Sequence, residues 1–225
     1  MNNIIAGVLF LLTALSAHAQ SALHYPPAIP AGESEQRVMQ QQLAQIPAEQ
    51  RSEQQWRQLA LVSVALTSLA DAPQQEQTAL TIEQARHALP DDALLMAIEG
   101  SLYCIQAGNS KIDGMQAMAL VNRGFRQLDR AVLKEPENIG PRLQRAITAS
   151  RTPAFLGKSA LARQDYHWLI ETIPATEETQ SLRAMVLYQL GEVVASDDPS
   201  QATLLWQRAA ALAGGEWSER AKKHL

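Results

Sequence analysis

The feature that most constrains the fold is a spacing of residues that recurs four times along the chain. In each copy a small residue is followed after four positions by a large one, after three more by an alanine or leucine, and after five more by a proline or glycine. The first two steps place these residues on one face of a helix, and the proline or glycine marks its end. The copies are Thr78–Ile82–Ala85–Pro90, Gly124–Leu128–Ala131–Pro136, Ala162–Tyr166–Leu169–Pro174 and Ala202–Trp206–Ala209–Gly214.

Each copy follows a segment that carries small residues of its own. Trp56 precedes Leu59-Ala60, Gly100 precedes Tyr103, Ala146 precedes Ala149, and a Leu190-Gly191 pair precedes the last copy. Small residues let two helices approach closely, and Trp206 can fill the gap between Ala202 and Ala209. We therefore predict antiparallel helix hairpins that pack through Gly100, Gly124, Ala131, Ala162, Gly191, Ala202, Trp206 and Ala209.

This pattern over residues 56–213 resembles the tetratricopeptide-repeat superfamily. The resemblance implies an all-α fold, a right-handed α-solenoid whose stacked hairpins present a groove. It also implies a scaffold that docks a peptide or helix of a protein partner. The copies are irregular: "QAGNSKIDG" and "SRTPAFLGKS" lengthen two connections, and the step from Gly191 to Ala202 is one residue short of the family pattern.

The composition and the positions of helix-breaking residues also predict helices throughout the chain. Alanine, leucine and glutamine are abundant, and breaks fall where Pro, Gly, Asn and Asp cluster. The apolar stretch 59–70 is too short to span a bilayer and predicts a buried helix. Met118, Val121, Phe125, Leu128 and Val132 predict one packing stripe. The predicted helices cover 33–45, 52–70, 74–89, 92–107, 112–134, 139–150, 158–172, 177–195, 199–213 and 216–223.

The first nineteen residues have the composition of a signal peptide. An apolar run from Ile4 to Leu15 is followed by Ala17 and Ala19 in the small-x-small pattern of a cleavage site. The segment before the run has no Lys or Arg, so an uncleaved anchor is the alternative. No cysteine follows the run, which argues against a lipoprotein. We expect a periplasmic protein without stable membrane insertion after cleavage.

The remaining chain divides into a tether and one domain. Residues 20–32, with three prolines, predict an extended tether, and residues 33–225 predict a single helical domain. Cys104 is the only cysteine, so no internal disulfide forms, and its apolar surroundings predict a buried side chain.

Positive charge is concentrated in the middle of the chain. Residues 111–163 carry ten Lys/Arg and four Asp/Glu, against a net charge of −4 for the whole chain. Arg123, Arg126 and Arg130 fall on one helix face, and Arg142 and Arg145 begin the next helix. We expect these five to contact an acidic peptide, a carboxylate terminus or anionic headgroups; a solvated face is the alternative. Nucleic acid is not expected, since no aromatics interleave with the basic residues.

The sequence contains no catalytic or metal-binding motif. The four histidines after residue 19 are far apart, and HExxH, paired CxxC and GxSxG patterns are missing. We therefore expect no enzyme activity, no metal and no cofactor. One alternative is a helical enzyme or small-ligand carrier with a pocket between hairpins, formed around His167 or Glu99. Another is self-association into a homo-oligomer through the ends of the solenoid.

Overall fold

The computed structural model describes residues 23–67 and 71–225. Within these ranges the chain forms ten α-helices and three short 3-10 turns, and no strand. The all-α prediction is confirmed, and the predicted helix ends lie within about one turn of the observed ones. The helices are α1 (Glu33–Gln45), α2 (Glu53–Leu66), α3 (Ala72–Ala88), α4 (Ala93–Ala107), α5 (Gly114–Lys134), α6 (Ile139–Arg151), α7 (Ser159–Thr172), α8 (Gln180–Val194), α9 (Pro199–Ala210) and α10 (Glu216–Lys222).

Side-chain caps fix several helix starts. At α2 the Ser52 hydroxyl accepts a hydrogen bond from the Gln55 amide, and the Gln55 side chain accepts one from the Ser52 amide. Asp198 accepts from the Gln201 amide at 2.9 Å, with Pro199 as the first residue of α9. Both use side-chain oxygens to satisfy amides that lack a partner within the helix, so local sequence sets these boundaries.

Helices that follow each other in the chain contact each other. Contacts join α2 with α3, α4 with α5, α6 with α7, and α8 with α9, the pairs to which the four copies belong. Further contacts link α3 with α4, α5 with α6, and α7 with α8, while α4 also touches α2 and α6. At the ends, α1 packs on α2, and α10 packs on α8 and α9.

The core has two clusters that meet on α4. Leu95 and Ile98 belong to a cluster shared with α1, α2 and α3, whereas Ala97 belongs to a cluster that continues to α10. This explains why α4 is apolar nearly all round: it packs on both sides. In α2 the residues Leu59 and Val62 are buried, as predicted for the stretch 59–70, although the helix ends at Leu66 and residues 68–70 lie outside the described ranges.

The α5 stripe is buried from Val121 onward but not before. Val121, Phe125 and Leu128 are buried, whereas Met118 is 44% exposed and Met115 is 85% exposed. The inclusion of Met118 in the packing stripe was therefore wrong. The physical reason is that α5, lengthened to 21 residues, has no buried residue in its first two turns.

The segment before α1 is extended but not free. Residues 23–32 lie against the helices, and His24 forms an isolated bridge with Asn138. The predicted signal segment, its cleavage site and residues 20–22 of the predicted tether lie outside the described ranges. In the part of the chain that is described, no helix combines the length and the apolar character that crossing a membrane requires.

Candidate protein-binding surface

Helix α5 presents three of the five predicted arginines to solvent. Asp113 caps the helix by accepting from the Gln116 amide at 2.8 Å. The buried stripe then fixes the rotation of the helix, because its residues must face the core. Arg123, Arg126 and Arg130 lie outside that stripe and are exposed. We call these three residues the α5 arginine row.

The charge of the α5 arginine row is not neutralised locally. The Arg123 guanidinium lies over the Tyr103 ring, 4.1 Å from its centre, which fixes the side chain without cancelling its charge. Arg126 and Arg130 form no ion pair with any residue of the described ranges. Two unpaired guanidinium groups and one stacked group therefore face solvent along one helix.

Arg142 and Arg145 do not belong to this surface. Both point at Asp165, whose side chain is completely buried. Arg145 Nε and Nη2 each donate to a different Asp165 oxygen at 2.7 Å, and Arg142 Nη1 donates at 3.2 Å. Arg145 also donates to Asp129 at 2.8 Å. Since these guanidinium groups balance an interior carboxylate, the expectation that Arg142 and Arg145 meet a partner is corrected: they hold α6 to α7 and α5.

The electrostatics of Arg145 match this structural role. Burial by itself would lower the pKa of Arg145, but its hydrogen bonds and attraction to Asp165 and then to Asp129 outweigh that effect and raise its pKa above the ordinary value. Its neighbour Arg142 stacks on Trp168, with the guanidinium carbon 4.0 Å from the ring centre. The two arginines therefore belong to one network that links α5, α6 and α7.

A signal for this network was present in the sequence. Asp165 falls between Ala162, Tyr166 and Leu169, on the same face of α7 as these apolar residues. A carboxylate on a buried stripe needs cationic partners. Arg142 and Arg145 begin the preceding helix, so they were the nearest candidates.

The small residues of the repeat lie at close helix contacts. A Cβ built on Gly100 would come within 2.7 Å of the Gly124 carbonyl oxygen, and one built on Gly124 within 2.6 Å of the Gly100 oxygen. A Cβ on Gly191 would lie 2.4 Å from Trp206 Nε1. The four alanines of the set, Ala131, Ala162, Ala202 and Ala209, have no exposed surface.

Neither of the two residues suggested for a closed pocket is fully buried. His167 is exposed on α7. Glu99 is partly buried and already bonded, accepting from the Tyr103 hydroxyl at 2.6 Å and from Gln127 at 3.0 Å. A shallow depression of about 320 Å³ lies elsewhere, lined by Glu53, Arg57, Ala88, Leu89, Pro90, Asp91, Asp92 and Glu135. Neither His167 nor Glu99 lines it.

Comparison with protein families, with curated proteins and with solved structures finds no match to this chain.

Proposed function

We propose that this protein is an exported, periplasmic scaffold that binds a protein partner of an envelope assembly, transport or maturation system. Its helices would stack as a right-handed solenoid of tetratricopeptide-like hairpins. The proposal is supported by the contacts within the four helix pairs, by those that link each pair to the next, and by the close approaches at Gly100, Gly124 and Gly191. Stacked helix pairs give an extended surface, which suits a scaffold.

The observation that carries the proposal is the α5 arginine row. Three exposed arginines on one helix, of which Arg126 and Arg130 have no ion pair with the described residues, lie on a chain whose net charge is −4. Such a local excess of positive charge attracts an acidic segment and orients it before contact. Arginine can also bind a carboxylate through two parallel hydrogen bonds.

The apolar residues beside the row narrow the class of partner. Met115 is 85% exposed and Leu133 is 77% exposed. Spacings of eleven and seven residues place Met115, Arg126 and Leu133 on one line along α5. A partner helix or strand that combines carboxylates with apolar residues would match this line, with apolar contacts at its ends and ion pairs between them.

The experiment that tests the proposal is site-specific photo-crosslinking in cells. A photoreactive residue replaces Arg126 in one strain and Arg208, an exposed arginine on α9, in a matched control. We expect a discrete crosslinked protein from position 126 that is weak or missing from position 208. Equal crosslinking from both positions, or none from position 126, would remove α5 as the contact face.

A further inference from the structure

The N-terminal segment crosses three distant helices in an extended conformation. Residues 23–32 read "LHYPPAIPAG", and their three prolines restrict the backbone to extended conformations. At about 3.1 Å per residue, a polyproline-like segment of this length spans on the order of 28 Å. Its contacts run from the start of α6 to α2 and α10, which are far apart in the chain.

The surface holds this segment through its main chain. The Ile139 amide donates to the His24 carbonyl at 2.9 Å, Gln58 Nε2 to the Ala28 carbonyl at 3.1 Å, and Arg220 Nη2 to the Ala31 carbonyl at 3.4 Å. A fourth bond, from Gln36 Nε2 to the Pro30 carbonyl at 2.8 Å, is local to the segment and α1. Within the described ranges, these side chains and this amide act only as donors to the segment, and its carbonyls accept.

The hydrogen bonds of this contact do not involve the segment's own side chains. Every peptide has carbonyl groups, and in a polyproline-like conformation they form no internal hydrogen bonds, so they are free to accept. Leu23 is the one residue of the segment that packs against the larger core cluster. The surface therefore selects an extended backbone that begins with an apolar side chain, and proline favours such a backbone because it reduces the entropy lost on binding.

The segment is covalently attached to the surface that it contacts. A covalently linked occupant has an effective concentration in the millimolar range, so a free peptide must compete with it. Residues 23–32 supply a hydrogen-bond acceptor to the Ile139 amide. It is the first amide of α6, which has no acceptor within the helix, and the residue is fully buried.

We propose that the surface formed by Gln58, Arg220 and the Ile139 amide is a peptide-binding surface, and that an extended, proline-containing segment of a partner protein occupies it by displacing residues 23–32. This surface is separate from the α5 arginine row, and the proposal does not depend on it. The chain's own segment then acts as a cover that a partner must replace.

The test uses a fluorescent peptide with the sequence of residues 22–32 and the whole chain. Leu23→Asp loosens the attached segment without altering the receptor residues. In anisotropy titrations we expect the peptide to bind this variant at least tenfold more tightly than it binds the wild-type chain. Adding Gln58→Ala should then weaken binding about fivefold, the effect of one hydrogen bond. Gln54→Ala, at an exposed position one turn away on α2, is the matched control and should change nothing.

Hydrogen exchange supplies a second readout. The Ile139 amide should exchange slowly in the wild-type chain and faster in Leu23→Asp, and added peptide should restore its protection. Pro26→Gly with Pro27→Gly loosens the segment in another way and serves if Leu23→Asp impairs folding. Two results would overturn the proposal: no peptide binding to either loosened variant while its helical content is unchanged, or binding that Gln58→Ala leaves unaltered. A segment exchanged between two copies, seen as a wild-type dimer that the loosened variants lose, would also overturn it.

Discussion

Trp206 of α9 lies so close to Gly191 of α8 that a methyl group on the glycine would overlap the indole. The distances from an added Cβ would be 2.4 Å to Nε1 and 2.8 Å to Cδ1. The ring cannot move away freely, because it also stacks on His224 with the ring centres 4.1 Å apart. This pair sets the separation of α8 and α9.

We expect Gly191→Ala to destabilise the protein. Overpacking a core contact costs about 1–3 kcal/mol, which exceeds or offsets the roughly 1 kcal/mol that alanine gains over glycine within a helix. Chemical denaturation monitored by circular dichroism measures the change. The matched control is Gly114→Ala, since nothing lies within 4 Å of a Cβ there. A variant Gly191→Ala as stable as Gly114→Ala would contradict the observed spacing of α8 and α9.

A larger effect is expected at Gly124 because the obstacle includes backbone. An added Cβ would meet the Gly100 carbonyl oxygen at 2.6 Å and Cys104 Sγ at 2.5 Å. Side-chain rotation cannot relieve the first contact, so α4 and α5 would have to separate. We expect Gly124→Ala to cost about 3 kcal/mol, at the upper end for overpacking. Gly124→Ala should therefore unfold at a lower denaturant concentration than Gly191→Ala. The opposite order would contradict the explanation that a backbone contact is harder to relieve than a side-chain contact.

Asp165→Asn should be among the most destabilising polar substitutions. The amide keeps the size of the side chain but removes the charge that balances Arg142 and Arg145. Breaking a buried ion pair from one side costs about 3–5 kcal/mol, because the partner charges remain without compensation. Thermal unfolding measures the loss.

The control for this variant is Asp197→Asn. Asp197 pairs with Arg163 at the surface, where its side chain is 59% exposed. Exposed pairs contribute at most about 1 kcal/mol. Equal losses for Asp165→Asn and Asp197→Asn would show that the buried network does not hold α6 and α7 together.

Stability should fall at alkaline pH. Burial raises the pKa of Cys104 from 9.0 to about 12 and that of Tyr166 from 10.0 to about 12. Above pH 9 the unfolded chain therefore loses protons that the folded chain retains, and the stability present below that pH is lost as the pH rises towards 12. Between pH 8 and 10.5 we expect a loss of about 3 kcal/mol from these two groups.

Two variants test whether Cys104 and Tyr166 cause this pH dependence. Cys104→Ala and Tyr166→Phe each remove one titrating group, so each should flatten the decline in unfolding free energy between pH 8 and 10.5. The absolute stability of either variant does not matter, since only its slope against pH is compared. A slope unchanged in both variants would place the alkaline loss in other groups.

The sequence predicted most of the helices because caps and apolar periodicity are local. Ser52 with Gln55 and Asp198 with Pro199 mark helix starts within four residues of chain, and the structure forms both caps. The position of Met118 could not be predicted from periodicity alone. Periodicity shows which face of α5 is apolar, but not how far along the helix its neighbours extend.

The residues of the candidate surface could be predicted only in part from the sequence. Some of the five arginines are bonded to residues that are distant in the chain, and the others are not. Arg126 and Arg145 both look like cations on a helix, and only the buried carboxylate of Asp165 separates their roles. The contacts of residues 23–32 with the helices are even harder to predict from the sequence, because Arg220 and Ala31, which form one of them, are 189 residues apart. Contacts of this kind depend on how helices that are distant in the chain pack together, which local spacing does not encode.

The most direct measurement on the central claim, that the α5 arginine row binds a partner, compares two charge reversals. Arg126→Glu with Arg130→Glu alters the row, and Arg208→Glu with Lys223→Glu alters two exposed cations elsewhere by the same charge. The partner protein is first identified by crosslinking from position 126. The measured quantity is the amount of this partner that co-purifies with each variant at one salt concentration. We predict about a tenfold loss for the first variant, none for the second, and unchanged helical content in both. Equal recovery with the two variants would contradict the claim.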